Sequence, residues 1–129
     1  MTFFKIDAAE RLIKDNYYAP SVHCSYYSCF QLAKHTINYF FDVDYEAQAI
    51  NVSVLGQGTH QYVLNFISQE LIKFAGAEES RIFKRTFKDL KQFRLESDYE
   101  NIEISMEKGV KAFEKAKEIR TFLIKNFHV

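Results

Sequence analysis

Between residues 20 and 41, seven apolar side chains recur at helical spacing. At about 100° per residue, Val22, Tyr26, Cys29, Phe30, Ala33, Ile37 and Phe40 share an arc roughly 100° wide. A helix with such a stripe must bury it against other helices or a sheet. Beside the stripe runs a strip of mostly small residues, Ser25, Ser28, Leu32, Thr36 and Tyr39, which invites close approach of a second helix. The chain's one proline, Pro20, stands where the first turn of a helix tolerates a missing N–H. With only four glycines besides, the sequence favours long uninterrupted helices.

Four further segments carry a helical period: 4–16, 59–74, 78–95 and 106–127. Thr59 suits an N-cap for the third helix, and Ser105 suits one for the last. Residues 42–58 lose the period and read as a long loop, within which 49–55 has the composition of a short strand. The stretch after residue 93 reads as an irregular joint. Together these predict one all-α domain over 1–129, an up-and-down bundle of four to five helices. Its core should contain Phe30, Phe40, Phe66, Phe87, Leu90, Phe113 and Leu123. The small strip predicts a homodimer.

Cys24 and Cys29 fall about 140° apart on one helix, too far around to bridge, and free thiols fit a reducing compartment. The N-terminus has no apolar core of the secretory type. No run reaches the ~18 apolar residues of a membrane span. These features predict a cytoplasmic protein with no membrane partner. Formal net charge is zero, so no global field draws the chain to nucleic acid.

Charge is nevertheless uneven. From residue 81 to 94 there are six basic residues and one acid, Asp89. With Arg81 at 0°, Lys84, Arg85, Lys88 and Lys91 fall between roughly 280° and 40°, and Ile82, Phe83, Phe87, Leu90 and Phe93 between roughly 100° and 240°. The basic face fits tracking of phosphates or, alternatively, a plain solvated surface. Arg94 leaves that face and falls at roughly 220°, inside the aromatic arc. Asp98, four residues on, is its natural partner. Arg120 likewise aims into the apolar arc of the last helix. A semi-buried cluster of Arg94, Asp98, Tyr99 and Arg120 is therefore expected, either as a phosphate pocket or as a structural ion-pair network. His60, at a helix start after the GQG turn, is the histidine best placed for function. His23 reads as a half-buried core residue, His35 as a surface one and His128 as terminal. No HExxH, CxxC, GxSxG, Walker or GxGxxG pattern occurs, so neither a metal nor a cofactor is indicated.

Three stretches resemble the HEPN superfamily, named for higher eukaryotes and prokaryotes nucleotide-binding, in its prokaryotic single-domain type. They are NYYAPSVHCSYYSCFQLAKHTINY, GTHQYVLNFI and FRLESDYENIEISMEKGVKAFEKAKEIRTFLIKNF. The resemblance implies a dimeric helical bundle. It also implies either a ribonuclease, often half of a toxin–antitoxin or defence pair with a minimal nucleotidyltransferase, or a non-catalytic binding module. In nuclease members an arginine is followed after four to six residues by a histidine. Arg94 matches the arginine, but positions 99, 100 and 101 hold Tyr, Glu and Asn. Tyrosine, with a pKa near ~10, is a poor base for the 2′-OH. The expectation is a non-catalytic binder of RNA, a nucleotide or a partner protein. The alternative is a metal-independent ribonuclease in which Arg94 works with a displaced base, His60.

Overall fold

The computed structural model describes residues 2–99 and 104–129, with side chains over 6–98 and 104–129. These residues form an all-α bundle: α1 (Thr2–Lys14), α2 (Tyr18–Tyr39), α3 (Tyr45–Leu55), α4 (Thr59–Ala75), α5 (Ala77–Tyr99) and α6 (Met106–Phe127). α2 is the central element and packs against α1, α4, α5 and α6. Its stripe forms the core as the periodicity predicts: Val22, Tyr26, Cys29, Ala33 and Ile37 are fully buried. Phe83, Phe87, Leu90, Ile119 and Leu123 close the core from α5 and α6.

Helix ends follow local chemistry. Pro20 lies in the first turn of α2, as expected. Ser105 accepts a hydrogen bond from the Lys108 amide and caps α6. The cap of α4 is Gly58, and Thr59 is its first helical residue. Between α4 and α5 the chain turns at Gly76 with φ of 92°, a conformation costly for any residue with a Cβ. Gly109 has a different reason to be glycine. A Cβ there would meet the Tyr18 side chain at 3.2 Å, so it lets α6 approach the start of α2.

The 42–58 stretch is not a loop, and 49–55 is not a strand: both belong largely to α3. Asp44 accepts from the Ala47 amide at 2.8 Å to start that helix, and Gly56 ends it in the left-handed conformation with φ of 67°. The helix shows no stripe because it buries only Gln48, whose amide donates to the carbonyls of Lys34 and Val43. Contacts show why the segment is long. Phe40 and Phe41 at the end of α2 meet Phe74 and Phe127 at the ends of α4 and α6, so these three helices run in the same direction. α5 runs the other way, since Tyr27 meets Arg94 and His23 meets Asp98. Entering α4 parallel to α2 requires a return over much of the length of α2. An 11-residue helix covers about 16 Å of it.

Other expectations are corrected. Phe40 is 37% exposed, because it lies just beyond the last residue of α2 and packs edge-on against Phe41, Phe74 and Phe127 with one side in solvent. Phe66 and Phe113 are half-buried, whereas Phe30, Phe87, Leu90 and Leu123 are buried. The small strip of α2 is filled from within the chain. Ser25, Ser28, Leu32 and Thr36 are buried, and Ser21 on the same side donates to the Ala9 carbonyl of α1. Only Tyr39 of that strip remains exposed, so the strip offers no surface to a second copy. The first part of the expected joint after residue 93 is regular helix: LESDY contains no glycine or proline, and α5 runs on through Tyr99, while 100–103 lie outside the described residues.

Candidate functional site

Arg94 is buried, as its place in the aromatic arc requires, and the rings around it explain how. Its guanidinium lies 5.0 Å from the Tyr26 ring centroid and 5.6 Å from that of Tyr27. Its Nη1 donates to the Tyr27 hydroxyl at 3.0 Å. Cation–π attraction and that hydrogen bond compensate for lost hydration. The expected pairing with Asp98 is present but long, with Nη1 to Oδ2 at 3.9 Å. The same Oδ2 lies 3.4 Å from Nδ1 of His23, whose ring packs on Tyr27 with centroids 4.6 Å apart. His23 is thus no core residue but the outer end of a polar chain. Tyr27, which falls outside the apolar stripe of α2, is half-buried at the centre of that chain.

His60 joins the same cluster from α4. Its ring stacks on Phe30 at 4.2 Å and on Tyr26 at 5.4 Å, and its Nδ1 is hydrogen-bonded to the Tyr26 hydroxyl. Burial lowers its pKa to about 4, with Lys91, Arg94 and Lys34 adding repulsion. Burial raises the Tyr26 phenol far above its ordinary value, against the opposing pull of Arg94. At neutral pH, therefore, the phenol keeps its proton and donates it to Nδ1 of a neutral ring, leaving Nε2–H as the ring's own donor.

Above these rings opens a cavity of about 190 Å³. Tyr26, His60, Leu64, Phe87 and Leu95 give it an apolar and aromatic lining. Lys88 and Lys91 supply its charge, with Gln61 and Gln92 beside them, and among the described residues no carboxylate lines it. The one acid of the basic stretch, Asp89, pairs instead with Lys115 of α6 at 3.4 Å. The basic face is not uniform. Arg81 is held by Glu78 of its own helix through two contacts of 2.7 and 2.8 Å, while Lys84 is half-buried and Arg85 exposed. Arg94 lies behind the rings and lines neither this cavity nor an open depression of about 560 Å³ around His23, Cys24, Ser97 and Asp98.

Of the expected four-residue cluster, Arg94 and Asp98 meet. Arg120 is buried on α6, where burial lowers its pKa and Cys29 of α2 and Asp7 of α1 favour its charge. Cys29 and Tyr26, the ring under Arg94, share the buried stripe of α2. The Tyr99 side chain lies outside the described residues, as do positions 100 and 101. What the angles did not reveal is that Tyr26 joins Arg94 to His60. The signal was the Tyr26–Tyr27 pair itself, since a guanidinium buried in an aromatic arc must rest on rings. Among the described residues no group of three His, Cys, Asp or Glu side chains is arranged to hold a metal. None of the helices among these residues is long and apolar enough to cross a membrane.

Compared with known proteins, the chain matches no family model, no curated protein and no solved structure.

Proposed function

We propose that the chain is a non-catalytic RNA-binding protein that takes single-stranded RNA at the cavity between α2, α4 and α5. The observation that carries this reading is charge: two lysines and an aromatic floor with no carboxylate among the described lining residues. Phosphate answers the lysines, and the partly exposed ring of His60 suits an unstacked base. At about 190 Å³ the cavity is smaller than the ~300–1,000 Å³ pockets that enclose a whole ligand. It suits one base or phosphate of a longer strand, with Lys84 continuing the track, better than a free nucleotide. The HEPN-like motifs support the same reading. They also motivate a homodimer, a nucleotidyltransferase partner and a cytoplasmic setting, for which light scattering and co-purification are the tests.

A metal-independent ribonuclease is the second reading, favoured by Arg94 and His60 meeting at Tyr26. Its weakness is chemical. A base whose conjugate acid has a pKa of about 4 accepts a 2′-OH proton poorly near neutrality. The test is fluorescence anisotropy with a labelled eight-nucleotide oligouridine at low salt, followed by gel analysis of the RNA. Binding without cleavage, lost at least tenfold in Lys88→Glu/Lys91→Glu, supports the proposal. Intact protein that does not bind ends it. Cleavage abolished by both His60→Ala and Arg94→Ala would establish the nuclease instead.

A further inference from the structure

The depression beside the first cavity has the opposite chemistry. It is lined by Ala19, Pro20, His23, Cys24, Ser97 and Asp98, and among these described residues the full charge is a carboxylate. Among the described residues, the contacts to that carboxylate are long: 3.9 Å from Arg94, 3.4 Å from His23 and 3.4 Å from Ser97. Charge-assisted hydrogen bonds run at about 2.7–2.9 Å, so most of the acceptor capacity of Asp98 is unused. The His23 side chain beside it is 49% exposed and rests on Tyr27, which leaves ring surface open for stacking. On α5, Lys84, Lys88, Lys91 and Asp98 fall within an arc of roughly 80°, and Asp98 follows Lys91 by about 10 Å along the axis. One helix face therefore presents cations and then, two turns on, a carboxylate next to a stacking ring.

We propose that this depression is a base-reading subsite, and that Asp98 selects guanine in the strand whose phosphates lie on Lys88 and Lys91. The assignment rests on the RNA-binding reading of the first cavity. Guanine alone among the bases presents two adjacent donors, N1–H and the 2-amino group, on one edge. A carboxylate is the matching two-oxygen acceptor. Uracil offers a single N–H between two carbonyl oxygens, which a carboxylate repels. Adenine and cytosine each set an acceptor nitrogen beside their amine. His23 and Pro20 supply the stacking surface for the base, and Asp98 supplies its identity.

The test compares oligouridine, the same oligomer with one central guanosine, and one with inosine there, which lacks the 2-amino group. Wild-type protein should bind the guanosine oligomer about tenfold more tightly than oligouridine, with inosine between. Asp98→Asn should lose that preference while keeping its affinity for oligouridine. Because Asp98 also faces Arg94, each variant's melting is followed by circular dichroism. His23→Ala, which leaves the carboxylate in place, should weaken guanosine binding without reversing the order. Equal affinity for all three oligomers overturns this assignment and leaves RNA binding standing. So does a guanosine preference unchanged in both variants. Failure to bind any oligomer overturns both.

Discussion

The Arg94 guanidinium lies over the ring of Tyr26, and the hydroxyl of that ring is bonded to His60. One tyrosine thus joins a buried cation on α5 to a neutral imidazole on α4. Each end depends on the other, since Arg94 opposes the burial effect on the phenol and helps keep the imidazole uncharged.

Arg94 is a strut, and its removal should be costly. Arg94→Ala empties space between two tyrosines, removes a cation–π pair and removes the hydrogen bond to the Tyr27 hydroxyl. We expect a loss of about 2–4 kcal/mol by urea denaturation. A loss below about 1 kcal/mol would contradict the strut.

His60 should make stability depend on pH. Its pKa is about 6.5 in the unfolded chain and about 4 in the fold, so the unfolded state binds more protons between those values. Stability from this group is complete above pH ~6.5 and is lost as pH falls toward ~4. The full shift corresponds to roughly 3 kcal/mol, which the half-exposed ring reduces to about 1–2 kcal/mol. Titration of the His60 ring by NMR should show a midpoint near 4, and His60→Gln should flatten the stability profile between pH 4 and 6.5.

The lysines should differ from Arg81 in their salt signature. Lys88→Ala or Lys91→Ala should lower the salt slope of RNA binding by about 0.7, the value for one phosphate on a single strand. Arg81, already held by Glu78, should leave the slope unchanged on replacement by alanine. Equal effects at all three positions would mean that the cavity has no special place on the basic face.

The two thiols should react differently. Cys29 is fully buried, its thiol pushed up to about 12 by burial and its Sγ 3.4 Å from the Ala116 carbonyl. Cys24 is only half-buried. At pH 8 a disulfide reagent should titrate one thiol in the folded protein and two after denaturation. Cys24→Ser should abolish the native signal.

At Gly109, steric contact opposes helix propensity. Alanine there gains up to about 1 kcal/mol of propensity, but its Cβ meets both Cβ and the ring of Tyr18. Because Tyr18 Cβ is fixed to the backbone, we expect a net loss near ~1 kcal/mol in Gly109→Ala. A rise in Tm would show that α2 and α6 part without strain.

Much of the fold was legible because a buried stripe leaves a period. The arc of α2, the span and cap of α6, and the meeting of Arg94 with Asp98 all follow from angles on a single helix. α3 escaped because Gln48 is its only buried residue, and apolar Tyr45, Ile50, Val54 and Leu55 are scattered around it in solvent. Asp44 and Gly56 were its readable marks. The site was legible only in part. Angles place Arg94 inward but cannot say which neighbour it meets. That the ring is Tyr26, and that His60 arrives on its other side, depends on how α4 lies along α2. Arg120 points inward as its angle predicts, but that Cys29 of α2 and Asp7 of α1 act on it there depends on how the helices pack.

With α2 and α4 pointing the same way, His60 reaches Tyr26 only because the chain doubles back over α2. Removing residues between 42 and 58 would drag α4 along its own axis, and each residue of slip turns a helix by about 100° and shifts it about 1.5 Å. His60 would swing away from Tyr26 after a single step. Added residues near Gly56 or Gly58, where a Cβ would meet nothing, demand no such slip, and loop entropy grows only slowly with length. In a library of length variants the segment would accept insertions and reject deletions.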